Sequence, residues 1–319
     1  MAAAESITKR ENIAGINIAD GVVSVARIVR RGRHKIVLTH AGWMEYAPDA
    51  SDAEIVQVIK RLWKTTRMPT RTVCAGLHTR SLCLKYFKYP DLAPRELTSA
   101  LCLEAEESLQ LPPEQIALDW HINRPRNDPY TQLGEQLHGI LVAVGKKEVN
   151  RQLNLLKRAG LYPVLMDVGS TSLCNLFLAL RGEKVNNDNA VCVVNLSRYN
   201  ADISILYNDH YIYPRTIISR SAEWSTKVQY LIENISDALL YYHVKVDKTP
   251  VTQLVLTGFV PDDPQFVAQV HDTIGLPTEV WSPLRDANFL ISHSVKTSKK
   301  HDVISPLMTT SLGLGLRNT

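Results

Sequence analysis

At 319 residues, 45% apolar and 21% charged, the chain is long enough for about two domains and has none of the bias of a disordered or fibrous protein. A net charge of +4, from 36 basic and 32 acidic residues, demands no polyanionic partner. The five cysteines (Cys74, Cys83, Cys102, Cys174, Cys192) form no CxxC pair, and the ten histidines show neither HxxxH nor HxH spacing, so no zinc site or disulfide framework is indicated.

The first twelve residues, MAAAESITKREN, lack the apolar core of a signal peptide, and no run approaches the roughly 20 apolar residues of a membrane span. The expected location is the cytoplasm. Residues 13–29, IAGINIADGVVSVARIV, set two β-branched runs around a break at Asn17, Ile18, Ala19, Asp20 and Gly21, which predicts a β-hairpin. The basic cluster Arg27, Arg30, Arg31, Arg33, His34, Lys35 reads as a solvated hairpin tip. Without aromatic interleaving it gives no support to nucleic-acid binding.

A strand at 35–39 leads to Trp43 and Tyr46. Ser51 and Glu54 have the capping-box spacing, and Ile55, Val58, Ile59 and Leu62 follow at helical period. Met68, Pro69 and Thr70 end that helix, and 72–77 reads as a buried strand. A small α+β module comes next: a strand at 82–86, a helix opened by Pro94, and strands at 116–122 and 138–144. The helix carries Leu97, Leu101, Ala105 and Leu109 and stops at Pro112 and Pro113. A basic helix is predicted at 146–159, a strand at 164–168 and a helix at 170–180. The polar linker 182–189 is the clearest boundary.

The hairpin pattern then returns in AVCVVNLSRYNADISILYNDHYIYPR, with strands at 190–196 and 202–207 around a turn of Ser197, Arg198, Tyr199 and Asn200. A mostly helical stretch at 221–243 precedes a buried strand ending at Gly258, a helix at 264–274 and a strand at 278–281. The tail LMTTSLGLGLR is predicted to be a last helix packing back on the first half. Two hairpin openings about 180 residues apart suggest a duplicated α/β unit around a cleft.

This series of elements resembles the type IV pilus assembly PilM family, actin-like ATPases related to the cell-division protein FtsA. The stretches 87–92 (FKYPDL), 103–106 (LEAE), 141–147 (LVAVGKK), 159–163 (AGLYP) and 166–168 (MDV) are similar to that family's motifs, in the family's order. The resemblance implies an α/β actin-like fold of two RNase-H-like halves with a small β-α-β-β insert. It sets domains at 11–81 (completed by 159–181 and 307–319), 82–158 and 190–306. It also implies a role in the pilus assembly platform near its motor ATPases, with the inner membrane reached through partners. In the family the insert and its neighbour bind the N-terminal cytoplasmic segment of PilN, an inner-membrane protein. On this chain Leu84, Tyr86, Leu97, Leu101 and Ala105 are the expected contacts.

The family's cofactor is ATP with Mg²⁺, held by turns of the form G-[IL]-D-[IL]-G-[ST] and D-[IL]-G. Glycine lets the backbone approach phosphate, and carboxylates hold the hydrated metal. Here the nucleotide-site positions read Asn17, Ala19, Asp20 and Gly21 in the first half, and Asn195, Ser197 and Gly258 in the second. Ser219, Arg220 and Ser221 stand where the family has paired glycines. Two lost carboxylates and two lost glycines amount to roughly 4–10 kcal/mol, about three to seven decades of affinity. The expected function is a scaffold with a degenerate nucleotide site and no catalytic residues. The alternatives are an active ATP-dependent switch, using Asp20 and Asp167 with Asp202 as a weaker candidate, or a scaffold like the type II secretion L protein. The lack of a span after residue 300 argues against the last.

Overall fold

The computed structural model describes residues 12–19, 21–31, 35–79, 82–122, 137–182, 189–197, 200–207, 210–218, 224–261, 263–286, 289–292 and 301–317. Asp20, Arg33, His34, Arg198, Tyr199, Ser219, Arg220, Ser221 and the loop 125–135 lie outside the described residues, as does most of the linker.

In chain order the elements are β1 (Ala14–Ala19), β2 (Val22–Arg31), β3 (Lys35–Glu45), α1 (Asp52–Thr66), β4 (Thr72–Leu77) and β5 (Cys83–Tyr89). Then come α2 (Pro94–Leu109), β6 (Ile116–Ile122), β7 (Leu137–Gly145), α3 (Lys146–Arg158), β8 (Tyr162–Val168) and α4 (Gly169–Arg181). The second half holds β9 (Ala190–Leu196), β10 (Asn200–Tyr207), β11 (His210–Ile218), α5 (Trp224–Tyr241), β12 (Val251–Gly258), α6 (Pro264–Ile274) and β13 (Thr278–Val280). The strand β14 (Phe289–Ile291) and the helix α7 (His301–Gly315) follow.

The duplication is visible in the sheets. One runs β14-β3-β2-β1-β4-β8 and the other β11-β10-β9-β12-β13. In each, an antiparallel three-strand meander is continued by two parallel strands. The hairpin break falls later than expected, because β1 runs through Ala19 and the turn closes at Gly21 with φ +78°. The capping box forms as predicted: Glu54 N–H donates to Ser51 Oγ at 3.3 Å, and Ser51 N–H donates to Glu54 Oε2 at 2.8 Å.

Helices α4 and α7 lie between the two sheets. Leu173, Phe177, Met308 and Leu312 form one core with Ala26 and Ile28 of the first sheet and Val191 and Val255 of the second. The outer face of the first sheet is covered by α1 and α3, and that of the second by α5 and α6. The insert is a separate three-stranded sheet, β5-β7-β6, under α2.

Four of the five cysteines are buried, and burial pushes the thiols of Cys74 and Cys174 up to about 12. An Ellman titration of native protein at pH 8 is therefore expected to modify Cys102 rapidly and the other four only in denaturant. Five fast thiols would contradict this packing.

Candidate functional site

The parallel strands of each sheet end on one side, where open α/β sheets place their ligands. In the first half Asn17, Gly76 and Asp167 stand side by side across β1, β4 and β8. Asn17 Oδ1 sits 2.6 Å from the place a β-carbon on Gly76 would take, so the missing side chain makes room for the amide. In the second half Asn195 Oδ1 lies over Gly258 at the same 2.6 Å. Gly258 has φ +81°, which disfavours any other residue there, and the chain closes with Phe259 N–H donating to Leu196 O at 2.7 Å. Each half thus sets an asparagine on its first strand against a glycine on the neighbouring parallel strand. Gly76 was not legible in the sequence, since a glycine inside a buried strand announces nothing about what approaches it.

The carboxylates in this region are engaged. Asp167 Oδ1 accepts from Val168 N–H at 2.8 Å and from the Thr171 hydroxyl at 2.6 Å, which opens α4. Its other oxygen pairs with Arg317 Nε at 2.6 Å, brought in by the end of α7. Asp202 lies opposite Asn195 on β10 and accepts from the Thr216 hydroxyl at 2.8 Å. Ser197 is half-buried just after β9, and the Gly21 carbonyl accepts from Tyr46 N–H at 2.7 Å. Among the described residues no three His, Cys, Asp or Glu side chains gather to hold a metal ion. Among the described residues this region thus holds two neutral amides and two carboxylates, Asp167 paired with Arg317 and Asp202 bonded to Thr216.

Two grooves flank the insert. The first, about 380 Å³, lies between α3 and the first half. Ile18, Ala19, Tyr46, Ile55, Leu77 and Leu155 contribute apolar side chains, but its exposed lining is mostly polar, with His78 and, from α3, Glu148, Arg151 and Gln152. Ala19, expected at the nucleotide, is part of this groove. Arg151 donates to Asp52 Oδ1 through Nη2 at 2.7 Å and Nε at 3.1 Å, and Gln152 donates to the Gly76 carbonyl, so these two residues hold α3 against the first half. The second groove, about 520 Å³, lies between β5 and β11 and includes Leu84 and Tyr86. The remaining expected partner contacts are corrected by their burial. Leu97, Leu101 and Ala105 are 3%, 0% and 0% exposed, because the inner face of α2 packs on its own sheet and offers nothing to a peptide.

The halves are also clasped at the far end of α4. Arg181 Nε donates to Asp286 Oδ2 at 2.7 Å, its Nη1 pairs with Glu279, and the guanidinium lies 5.7 Å from the centre of the Trp281 ring. Asp286 is only 6% exposed in its side chain, so Arg181→Ala is expected to destabilise the protein by about 2–3 kcal/mol in urea unfolding. A change below about 0.5 kcal/mol would mean the clasp contributes little beyond an exposed pair.

Two sheets that share a five-strand order and enclose two helices define an actin-like ATPase fold. The family model of type IV pilus assembly protein PilM matches residues 28–218, and the chain belongs to that family. Among solved structures, the PilM-PilN type IV pilus biogenesis complex aligns with a TM-score of 0.80 at 19% identity, over 97% of this chain and 99% of that one. Weaker likenesses include the cytoplasmic domain of EpsL from the Vibrio cholerae type II secretion system (TM-score 0.47, 10% identity, 90% of this chain and 95% of that one). A Bacteroides thetaiotaomicron protein with an actin-like ATPase fold aligns at TM-score 0.49 and 10% identity, over 88% of this chain and 94% of that one. No curated protein sequence gives a significant match. Among the described residues no helix is long and apolar enough to cross a membrane.

Proposed function

We propose that this chain is a cytoplasmic scaffold of a type IV pilus machine. It captures the N-terminal cytoplasmic segment of a PilN-like inner-membrane protein in the groove between α3 and the first half, and it does so without nucleotide. The observation that carries the reading is the groove itself: a mostly polar lining with apolar side chains such as Ile18 and Leu77 set into it, beside a helix tied to the first half through Asp52 and Gly76. A short segment carrying both polar and apolar side chains gains affinity from such a preformed slot, because little has to be ordered on the protein side. In this reading the first half (11–81, with 159–181 and 307–319) and the insert (82–158) grip the peptide. The second half (190–306) buttresses them, and the membrane is reached only through the partner.

The nucleotide site is read as degenerate because Asn17 and Asn195 bring no charge and Asp167 is bound to Arg317. A calorimetric titration with ATP and Mg²⁺ is expected to give no saturable heat up to about millimolar nucleotide, in keeping with the three or more decades of lost affinity. Micromolar binding would overturn this part of the reading.

A further inference from the structure

The charges around the groove between α3 and the first half do not cancel. The segment 48–55, which lines it through Pro48, Ala50 and Ile55, carries Asp49, Asp52 and Glu54 and no basic residue. Glu148 of α3 is a fourth carboxylate and lines the groove itself. The lining holds one guanidinium, Arg151, and Asp52 takes it through two nitrogens, at 2.7 Å and 3.1 Å. The hydrogen bond to Asp52 comes first, and the charges of Asp52 and Glu148 after it, in holding that guanidinium above its usual value against the opposing effect of burial. The lysines that open α3 do not restore the balance. Lys146 donates to the Glu114 carbonyl at 2.7 Å, and Lys147 is exposed and lines neither groove.

Glu148 is the carboxylate that stays unmatched. Glu54 is taken up by Ser51, whose N–H and hydroxyl donate to it at 2.8 Å and 2.7 Å, and Asp49 is exposed to water. Glu148 is half-buried in the first turn of α3, where a negative charge suits the helix N-terminus. Among the described residues it makes no hydrogen bond or ion pair. A half-buried carboxylate on a groove wall gains from a cation that the ligand brings, because the pair forms away from bulk water. A peptide leading into an inner membrane supplies one: cytoplasmic segments within about 15–20 residues of a span carry an excess of lysine and arginine.

We propose that Glu148 is a specificity-determining residue of this groove and receives a lysine or arginine side chain of the captured segment. The acidic segment 48–55 adds a field that draws such a ligand in. This assignment rests on the groove being the site of the PilN-like segment.

A double-mutant cycle tests it, with the full chain and the N-acetylated synthetic N-terminal cytoplasmic peptide of a PilN-like protein, each lysine and arginine replaced in turn by glutamine. Glu148→Gln is expected to bind the unaltered peptide about fivefold more weakly at low salt. One replaced peptide is expected to show the same loss on the unaltered chain and no further loss on Glu148→Gln. The proposal is overturned if Glu148→Gln binds the unaltered peptide as tightly as the unaltered chain does, or if its loss adds to that of every replaced peptide. Ala19→Trp fills the slot with an uncharged side chain and is expected to lose all the peptides. Full binding to Ala19→Trp would put the peptide elsewhere and remove the reading of the groove together with the role of Glu148.

Discussion

Ile18→Asp is expected to weaken binding of the PilN-like peptide by about a hundredfold, with the fold intact by circular dichroism. Ile18 is half-buried at the end of β1 and forms part of the apolar lining of the first groove, so an aspartate there must be desolvated by any apolar ligand. Loss of a hot-spot contact at the centre of an interface costs about 2 kcal/mol or more, the buried charge adds to that, and each 1.4 kcal/mol is about a decade of affinity. The control is Leu103→Asp on the outer face of α2, where the side chain is 66% exposed and lines neither groove. Its binding is expected to match that of the unaltered protein. Equal loss in both variants would point to a general effect of charge and remove the groove from the account.

Gly15→Val is expected to give the largest loss of stability, about 3 kcal/mol or more, seen as a lower urea midpoint. A β-carbon at Gly15 would collide with the Ser311 carbonyl and lie 2.5 Å from the Gly315 amide and 2.9 Å from Leu314 Cβ. These are mostly backbone atoms of α7, so the whole helix must move and the core between the sheets must repack. At Gly145 an added β-carbon would meet only the flexible tip of Leu111 at 3.3 Å, and Gly145→Ala is expected to cost under about 1 kcal/mol. If Gly15→Val were as mild, α7 could not be seated against β1 as described.

Much of the fold was legible because its signals are local. The capping box at Ser51, the proline start of α2 and the apolar, β-branched run in 190–196 each report the backbone state of their own segment. The failures are equally physical. Strand β14 has three residues and exists only by pairing with β3, so no periodicity could reveal it. β3 runs on to Glu45 past a bulge near Arg27 and Ile28, and that bulge breaks the register a regular pairing would have.

The site was less legible than the fold. Asn17, Asn195 and Gly258 stood out because the family's turns mark their positions, whereas Gly76 and Arg317 enter through contacts between distant segments. The stripe of Leu97, Leu101 and Ala105 correctly identified the buried face of α2. Helical period says which face is covered, not by what, and here the cover is the insert's own sheet.

The central claim is a scaffold whose peptide site works without nucleotide. Its most direct test is a calorimetric titration of the full chain with the N-terminal cytoplasmic peptide of a PilN-like partner, run with and without Mg²⁺ and ATP. The account predicts saturable one-to-one binding of the same affinity in both runs. Binding that appears only with ATP, or that tightens tenfold or more with it, would contradict the account and show a working switch.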